Sequence, residues 1–247
     1  MNRLVWEQDF QGGTADLKLW NIRLGNDLLD NDGKAIFPGW GNGEQQFYTG
    51  RPGNLSVGEE GLRLCARREV TEQEGRSFAY TSARIDTRDH FAFCYGRLTV
   101  RAKLPAGQGI WPAIWLLPQD QAYGPWPASG EIDILEAKGR LPRKIAGTLH
   151  YGADIERKIV EEFTYELERG TIEEFRDYTL EWQEGSMRWL VDGHCFAERR
   201  LEPGMPFDQP FYLLLNLAVG GWYDPVAVDE AALPAVMTVS GIRLYQS

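Results

Sequence analysis

The sequence predicts an all-β protein built from short antiparallel strands that pack as a sandwich or barrel. Runs rich in Val, Ile, Phe, Tyr, Trp and Leu recur between turn signals at roughly ten-residue intervals, as is typical of such folds. Helical periodicity is scarce, and only residues 170–175 and 228–232 read as helical turns. Neither segment is long enough to connect two parallel strands through a helix, so the strands are expected to pair antiparallel.

Individual strands are predicted from the alternation of polar and apolar residues between turns. The clearest run is Arg97–Leu104, whose even-numbered residues are all apolar and are expected to face the core. Turn signals lie at residues 59–61, 184–185 and 192–193, and the last of these, Asp-Gly, is a strong hairpin signal. The other predicted strands are Leu55–Val57, Leu62–Ala66, Tyr178–Trp182, Met187–Val191 and Cys195–Ala197.

Length and charge limit the domain organisation and the partners. A chain of 247 residues with 43% hydrophobic content is predicted to form one domain over residues 1–247, and we expect a monomer. The formal charge of −10 argues against nucleic acid or an anionic membrane as partner and favours a neutral or cationic ligand such as a polysaccharide. The longest apolar run, Phe211–Val219, is too short to cross a bilayer and contains Asn216.

The cysteines and the N-terminus give no sign of a disulfide framework or a secretory signal. Cys65, Cys94 and Cys195 are odd in number and lack C-x-x-C spacing, so we interpret them as core thiols. The first residues contain neither an apolar segment nor a cleavage site. Two locations therefore stay open: secretion or export to the periplasm with the signal missing from this sequence, or the cytoplasm.

Residues 130–139, G-E-I-D-I-L-E-A-K-G, concentrate acidic side chains within a strand-like run. Alternate residues of a strand share a face, so Glu131 and Asp133 point one way and the neighbouring isoleucines the other. Regular alternation would turn Glu136 to the apolar side, where an unpaired carboxylate costs on the order of several kcal/mol. We therefore predict a bulge, one extra residue around positions 134–135, that returns Glu136 to the face of the other two acids.

Three carboxylates on one face repel one another, so folding alone gives no reason to gather them. Hydrolysis of a glycosidic bond does, because retaining enzymes hold two carboxyl groups about 5–5.5 Å apart so that one attacks and the other donates a proton. Trp111, Trp115 and Trp126 lie directly upstream, and indole rings can stack on the apolar faces of sugars. The alternative for the acids is a solvated strand face, and the alternative for Trp115 is core packing.

With this neighbourhood the chain resembles the family 16 glycoside hydrolases, and most closely the bacterial β-1,3-glucanases called laminarinases. Their signature strand, E-I-D-I-x-E, matches residues 131–136 with the bulge inferred above. The resemblance implies a jelly-roll sandwich of two antiparallel sheets with a concave substrate cleft. It also implies that Glu131 is the nucleophile, Glu136 the acid/base and Asp133 the helper between them. For this chemistry Glu131 must stay ionised while Glu136 keeps a proton near neutral pH.

Further segments extend the resemblance over nearly the whole chain. Residues 40–49, W-G-N-G-E-Q-Q-F-Y-T, match a segment that lines the non-reducing side of the cleft in the family. The G-T-L-H run at 147–150 places its histidine beside the catalytic strand and facing the acid/base, although a lone histidine is equally compatible with a core position. The substrate-binding residues implied by the resemblance are Asn42, Gln46, Arg84, Trp111, Trp115, Trp126, His150, Asn216 and Trp222.

Three positions depart from the family pattern. Residues 153–158 lack the tryptophan usual after H-Y-G, and the residue before Trp222 is Gly rather than Asn, so both segments bear on linkage and cleft length. Many relatives hold a structural calcium with an acid near the first strand and an aspartate in the last. Here Asp9 remains, but Ser240 stands at the second position, so we predict no metal and no cofactor.

The predicted function is that of a retaining endo-β-1,3-glucanase acting on a laminarin-type polysaccharide or its oligosaccharides. One alternative is the same scaffold acting on mixed-linkage glucan, agarose or carrageenan, and another is a non-catalytic β-glucan-binding protein. The retained acids argue against the binding protein. A shortage of clustered basic residues in the cleft segments argues against sulfated polymers.

Overall fold

The computed structural model describes residues 3–13, 17–29 and 34–247; residues 1–2, 14–16 and 30–33 of the predicted domain lie outside these ranges. Strands make up nearly all of its regular structure. They are β1 (Arg3–Asp9), β2 (Asn21–Arg23), β3 (Asp27–Leu29), β4 (Ala35–Pro38), β5 (Gln46–Tyr48), β6 (Leu55–Gly58), β7 (Gly61–Gln73), β8 (Arg76–Ser82), β9 (Arg84–Asp86), β10 (Ala92–Phe93), β11 (Gly96–Lys103), β12 (Ile110–Pro118), β13 (Glu131–Ala137), β14 (Lys144–Tyr151), β15 (Ile159–Glu166), β16 (Arg176–Gln183), β17 (Ser186–Val191), β18 (His194–Arg200), β19 (Phe211–Val219) and β20 (Ala235–Gln246). Single turns of 3₁₀ helix cover Gln11–Gly13, Gly39–Gly41 and Glu230–Ala232.

Two large sheets form the sandwich. The ten-stranded sheet has the order β18-β17-β16-β11-β20-β7-β8-β5, with β1 paired to β20 and β6 to β7. The eight-stranded sheet has the order β15-β14-β13-β12-β19-β9-β2, with β10 paired to β19, while β3 and β4 form a separate hairpin. The predicted fold class, an all-β sandwich of antiparallel sheets, is therefore confirmed. The pairing of β5 with β8 is a parallel exception that the alternation pattern did not predict.

The core lies between the facing sides of the two sheets. The even-numbered residues 98–104 are at most 1% exposed, which confirms the predicted core face of β11. From the eight-stranded sheet, Ile114, Ile132 and Leu149 are completely buried against them. Trp189 on β17 is also fully buried, and its Nε1–H donates to the Asp133 carbonyl oxygen across the core at 2.9 Å. This hydrogen bond ties the ten-stranded sheet to the strand that carries the acids.

Several local predictions are confirmed and others need correction. The β16–β17–β18 meander turns at 184–185 and 192–193 as predicted, and both residues of the second turn have positive φ, as a tight hairpin requires. Residues 170–175 contain no helical turn, whereas 228–232 contain the 3₁₀ turn Glu230–Ala232. Cys65 is buried as expected, but Cys94 and Cys195 are half-buried, so the core interpretation holds for one thiol of three.

No helix in the described part of the chain is long and apolar enough to cross a membrane.

The predicted bulge is present in β13. Asp133 pairs with Thr148 and Glu136 with Ala146, so two residues of β13 stand against the single residue Gly147 of β14. Both residues of the bulge, Ile134 and Leu135, are buried in the core. The extra residue restores the face of Glu136, which places all three acids on the side of the sheet turned away from the core. We call this side the cleft face.

A methyl group at position 147 should disturb this arrangement. A Cβ built on Gly147 would lie 2.6 Å from Trp189 Nε1, closer than atoms can approach, so Gly147→Ala must displace the indole that donates to the Asp133 carbonyl. We expect the free energy of unfolding to fall by about 1–3 kcal/mol, the usual cost of overpacking a core. Urea denaturation followed by tryptophan fluorescence measures this change. Gly53→Ala is the matched control, because its Cβ would meet nothing closer than 3.7 Å, and an equal loss there would contradict the explanation.

Candidate active site

Strand register places the acids in two rows of side chains across the cleft face. Directly opposite residues of antiparallel strands share a face, and Glu136 lies opposite Ala113, which lies opposite Asn216. In the neighbouring row Asp133 lies opposite Trp115. The rows show that Trp115 belongs to the cleft face rather than to the core between the sheets, which decides between the two predictions for this residue.

Glu131 lies at the start of β13 and is held by Trp126. The Trp126 indole Nε1–H donates to Glu131 Oε2 at 2.6 Å, while the ring itself stays 38% exposed. The Lys158 ammonium lies 4.8 Å from the centre of the same ring. The Glu131 side chain is 16% exposed, and a carboxylate that is oriented by this donor and still reached from the cleft is suited to attack a bound ligand.

Asp133 is buried between Glu131 and His150. Its Oδ2 lies 3.1 Å from His150 Nε2, and the same nitrogen lies 3.9 Å from Glu131 Oε1. Burial, followed by the negative charge of Glu131 and a hydrogen bond to it, raises the pKa of Asp133 well above its ordinary value. Asp133 is thus protonated more readily than an exposed aspartate and can donate a hydrogen bond to Glu131.

The motif predicted that His150 faces Glu136, and this prediction is wrong. The register of β13 against β14 places His150 opposite Glu131, while Ala146 stands opposite Glu136. His150 is 5% exposed, but it lies on the cleft face and contacts two of the acids. The motif identified the correct residue and the wrong acid.

Glu136 is buried, and both of its carboxyl oxygens accept hydrogen bonds. Trp111 Nε1–H donates to Oε1 at 3.1 Å and Thr148 Oγ1–H to Oε2 at 3.2 Å. Burial raises the pKa of Glu136 well above its usual value, and the negative charge of Asp133 raises it further. His150 lowers this pKa, the charge of Glu131 raises it, and the Thr148 hydrogen bond lowers it, in decreasing order of effect. The site therefore favours a proton on Glu136, as a general acid requires.

Trp111 is a buried support rather than an open stacking surface, which corrects its predicted role. It is 6% exposed and stacks on Tyr223, with ring centres 5.1 Å apart and planes at 28°. Trp222 packs edge-on against it, is 53% exposed, and donates its Nε1–H to Asn42 Oδ1 at 2.9 Å. Trp222 and Asn42 therefore lie together at the rim of the cleft face, where sequence comparison had placed them separately.

Arg84, Trp115 and Asn216 form the floor on the other side of the acids. The Arg84 guanidinium lies 4.3 Å from the centre of the Trp40 ring and 4.8 Å from that of Trp115. Trp115 Nε1–H donates to Asn216 Oδ1 at 2.7 Å, and Asn216 donates to Tyr48 Oη at 3.1 Å. All three predicted residues lie on the cleft face, although each is partly or wholly covered by its neighbours.

Gln46 is not available to a ligand, which corrects its prediction as a sugar contact. It is completely buried; its Nε2–H donates to Glu44 at 2.6 Å and its Oε1 accepts from the Val219 amide at 2.7 Å. Glu44, which the sequence reasoning missed, accepts hydrogen bonds from Gln46, Asn42 and Tyr48. Its signal was the spacing of positions 44, 46 and 48, since alternate residues of an extended segment share a face.

Two clusters of side chains contain atoms that could act as metal ligands. In the described part of the chain, the carboxylate and imidazole atoms of Glu131, Asp133 and His150 lie within 4.8 Å of one another, a spacing that would allow all three to bind one metal ion. Near the first strand, the pocket that contains Asp9 and Ser240 is also lined by Arg101 and Arg243. The pocket has a second carboxylate, Asp177, but it pairs with Arg101 at 3.0 Å. Two carboxylates beside two guanidinium groups do not fit the charged oxygen ligands that calcium prefers. The absence of a structural calcium stays a prediction.

Comparison with known proteins agrees with this geometry. The family model for glycosyl hydrolases family 16 matches residues 42–232. The chain is 37% identical to glucan endo-1,3-beta-glucosidase A1 of Niallia circulans over 98% of its own length and 38% of that protein, and 38% identical to the beta-glucanase of Rhodothermus marinus over 98% and 85%. The laminarinase catalytic domain of Thermotoga maritima superposes with a TM-score of 0.87 at 38% identity, covering 100% of this chain and 98% of that one.

Proposed function

Because this chain belongs to the glycosyl hydrolases of family 16, we propose that it hydrolyses internal bonds of β-1,3-glucan with retention of anomeric configuration. The observation that carries the proposal is the β13 bulge, which brings Glu136 onto the face of Glu131 and Asp133. Its carboxyl group, buried with a raised pKa, is suited to donate a proton beside the charged Glu131. Relatives named for endo-1,3-β-glucan hydrolysis, 37% identical over nearly the whole chain, support the linkage.

In the first displacement, Glu136 donates its proton to the glycosidic oxygen while a Glu131 oxygen attacks the anomeric carbon. The bond between that carbon and the leaving oxygen breaks, and the leaving chain departs with a new hydroxyl group. The sugar on the non-reducing side stays bound to Glu131 as an ester. Trp126 holds Glu131 at the required angle through its 2.6 Å hydrogen bond.

In the second displacement, the now ionised Glu136 accepts a proton from water as the water oxygen attacks the same anomeric carbon. The ester bond breaks, Glu131 regains its charge, and Glu136 is protonated for the next cycle. Asp133, whose raised pKa favours its protonated form, can donate a hydrogen bond to Glu131 and so stabilise the carboxylate as it leaves. Side chains and water supply every group that this cycle needs.

A substrate panel tests the proposal. We expect purified protein to release short oligosaccharides from laminarin and from linear β-1,3-glucan, with the β-anomer forming first by proton NMR. Lichenan, agarose and carrageenan, included in parallel, test the other linkages. Release of the α-anomer first would contradict the double displacement. Binding of laminarin without release of sugar would favour the glucan-binding protein instead.

A further inference from the structure

Three lysines near strands β13–β15 of the cleft face form no ion pair with a carboxylate among the residues that the structure describes. The chain has six lysines, and Lys103 pairs with Glu60 at 2.7 Å. Lys138, Lys144 and Lys158 have no carboxylate within 4.0 Å in the described ranges of the chain. Lys158 lies over the Trp126 ring at the Glu131 end of β13, whereas Lys138 and Lys144 lie together at its other end.

Lys138 and Lys144 face each other at the ends of β13 and β14. The last pair of the two strands is Ala137 with Ile145. Lys138 and Lys144 are the next residues outward, where the same register continued by one position sets them opposite each other, and both line one pocket. Alternate residues of a strand share a face, so both lysine side chains, like that of Glu136, point to the cleft face. Like charges directly opposite each other destabilise a sheet. Lys144 also stands opposite Glu166 of β15, but no ion pair within 4.0 Å joins these two side chains in the described part of the chain.

The two lysines line a small pocket with Glu162, Thr164 and Tyr223. The Lys138 ammonium lies 4.5 Å from the centre of the Tyr223 ring, and the Tyr223 hydroxyl donates to Glu162 Oε1 at 3.3 Å. Two lysines against one carboxylate leave the pocket positive. Its cavity volume of about 60 Å³ is far below the ~300–1,000 Å³ of sites that enclose whole small molecules, so it suits one substituent of a larger ligand.

The pocket lies on the far side of Glu136 from the Arg84 floor. Ala146 stands opposite Glu136 and Thr164 opposite Ala146, which places the pocket two strand spacings, about 9–10 Å, beyond the acid. Asn216 lies two strands away in the other direction, where residues 40–49 approach the sheet. The family resemblance assigns that segment to the non-reducing side, so the pocket faces the part of the glycan that departs.

We propose that this pocket binds an anionic substituent, a carboxylate or a sulfate ester, on the leaving side of the cleaved bond. The inference rests on the proposed function and narrows its substrate class to glucans that carry such groups. Stacking on Tyr223 positions the Lys138 ammonium, and Lys144 supplies a second charge from the facing strand. The cleft segments have few clustered basic residues in sequence, which led us to expect no sulfated polymer as substrate. In the folded protein, however, two lysines that are separated in sequence lie in the same pocket.

Kinetics on three forms of one linear β-1,3-glucan test the inference: the neutral polymer, the same polymer lightly oxidised to carboxylate at C6, and the same polymer lightly sulfated at O6. The readout is the ratio of kcat/KM on each charged form to that on the neutral form. We expect the double variant Lys138→Met/Lys144→Met to lower at least one ratio about tenfold, the equivalent of one partly shielded ion pair. The form whose ratio falls identifies the substituent, and about 0.5 M salt should remove most of the effect.

Two variants make the result decisive. Lys103→Met removes a lysine that also lies over an aromatic ring, Phe175, and should leave both ratios unchanged. Lys138→Arg/Lys144→Arg keeps the charges and should retain the wild-type preference. Unchanged ratios in the methionine variant, or an equal loss on charged and neutral polymers, would overturn the inference while leaving the proposed function intact. Failure of the wild-type protein to cleave any form would instead overturn the proposed function.

Discussion

Replacing Glu131 with Gln is expected to lower kcat on β-1,3-glucan by at least about 10⁴-fold, as removal of a catalytic nucleophile does. The amide keeps the size of the side chain, and its oxygen can still accept the Trp126 Nε1–H bond. It carries no charge to attack the anomeric carbon, so the glycosyl-enzyme ester cannot form. Sizing and quantifying the oligosaccharides released from laminarin measures the loss.

A smaller side chain and an added nucleophile give an independent check on Glu131. With Glu131→Gly, azide should enter the space of the missing carboxylate, attack from the same side and yield an α-glycosyl azide from a substrate with a reactive leaving group. Glu181→Gln is the control, since Glu181 pairs with Arg188 on the ten-stranded sheet, away from the cleft face. Residual activity of Glu131→Gln within tenfold of wild type would assign the attack to another group.

The position of the acids could be predicted because one strand encodes it. Alternation along a strand places Glu131 and Asp133 on the same face. The same alternation would point Glu136 into the core, where burying its carboxylate would cost too much free energy, so a bulge is required. The structure has this bulge at Ile134 and Leu135. The face of each acid depends only on its neighbours in sequence, so the sequence alone was enough to predict it.

The partners of the acids depend on register between strands, which the sequence does not state. His150 was expected beside Glu136 and stands opposite Glu131, because the register of β14 against β13 sets Ala146 rather than His150 opposite Glu136. Gln46 lies in a motif associated with sugar contact, yet its amide is used by Glu44 and the Val219 backbone. The pairing of Lys138 with Lys144 likewise appears only once β13 and β14 are aligned.

The same burial that prepares the acids opposes folding. Asp133 and Glu136 have pKa values raised in the folded protein, so the unfolded chain releases their protons at lower pH than the folded protein does. The contribution of these two acids to stability should therefore be fully present below the ordinary carboxyl pKa and should be lost as pH rises through the raised values. The bulge, the Trp189 hydrogen bond and the closely packed Gly147 keep the acids in place against this cost.

Replacing Glu136 with Gln should separate proton donation from nucleophilic attack. On laminarin, whose leaving hydroxyl needs a proton, we expect kcat/KM to fall about 10²–10⁴-fold, the usual contribution of a general acid. On a 2,4-dinitrophenyl β-glycoside of a β-1,3-glucan oligosaccharide, whose leaving group departs without a proton, formation of the glycosyl-enzyme should stay within about tenfold of wild type. Stopped-flow release of dinitrophenolate measures that step, and equal losses on both substrates would contradict the assignment.

The pH dependence of kcat/KM tests whether Glu136 is the general acid. The acid must be protonated to act, so wild-type kcat/KM on laminarin should decrease on the alkaline side as Glu136 ionises, above the ordinary carboxyl range because burial raises its pKa. Thr148→Val removes a hydrogen bond that lowers this pKa, so the alkaline limb should move to higher pH. A downward shift would mean that the limb reports another group. With Glu136→Gln and the dinitrophenyl substrate the limb should disappear, because no acid remains to be ionised.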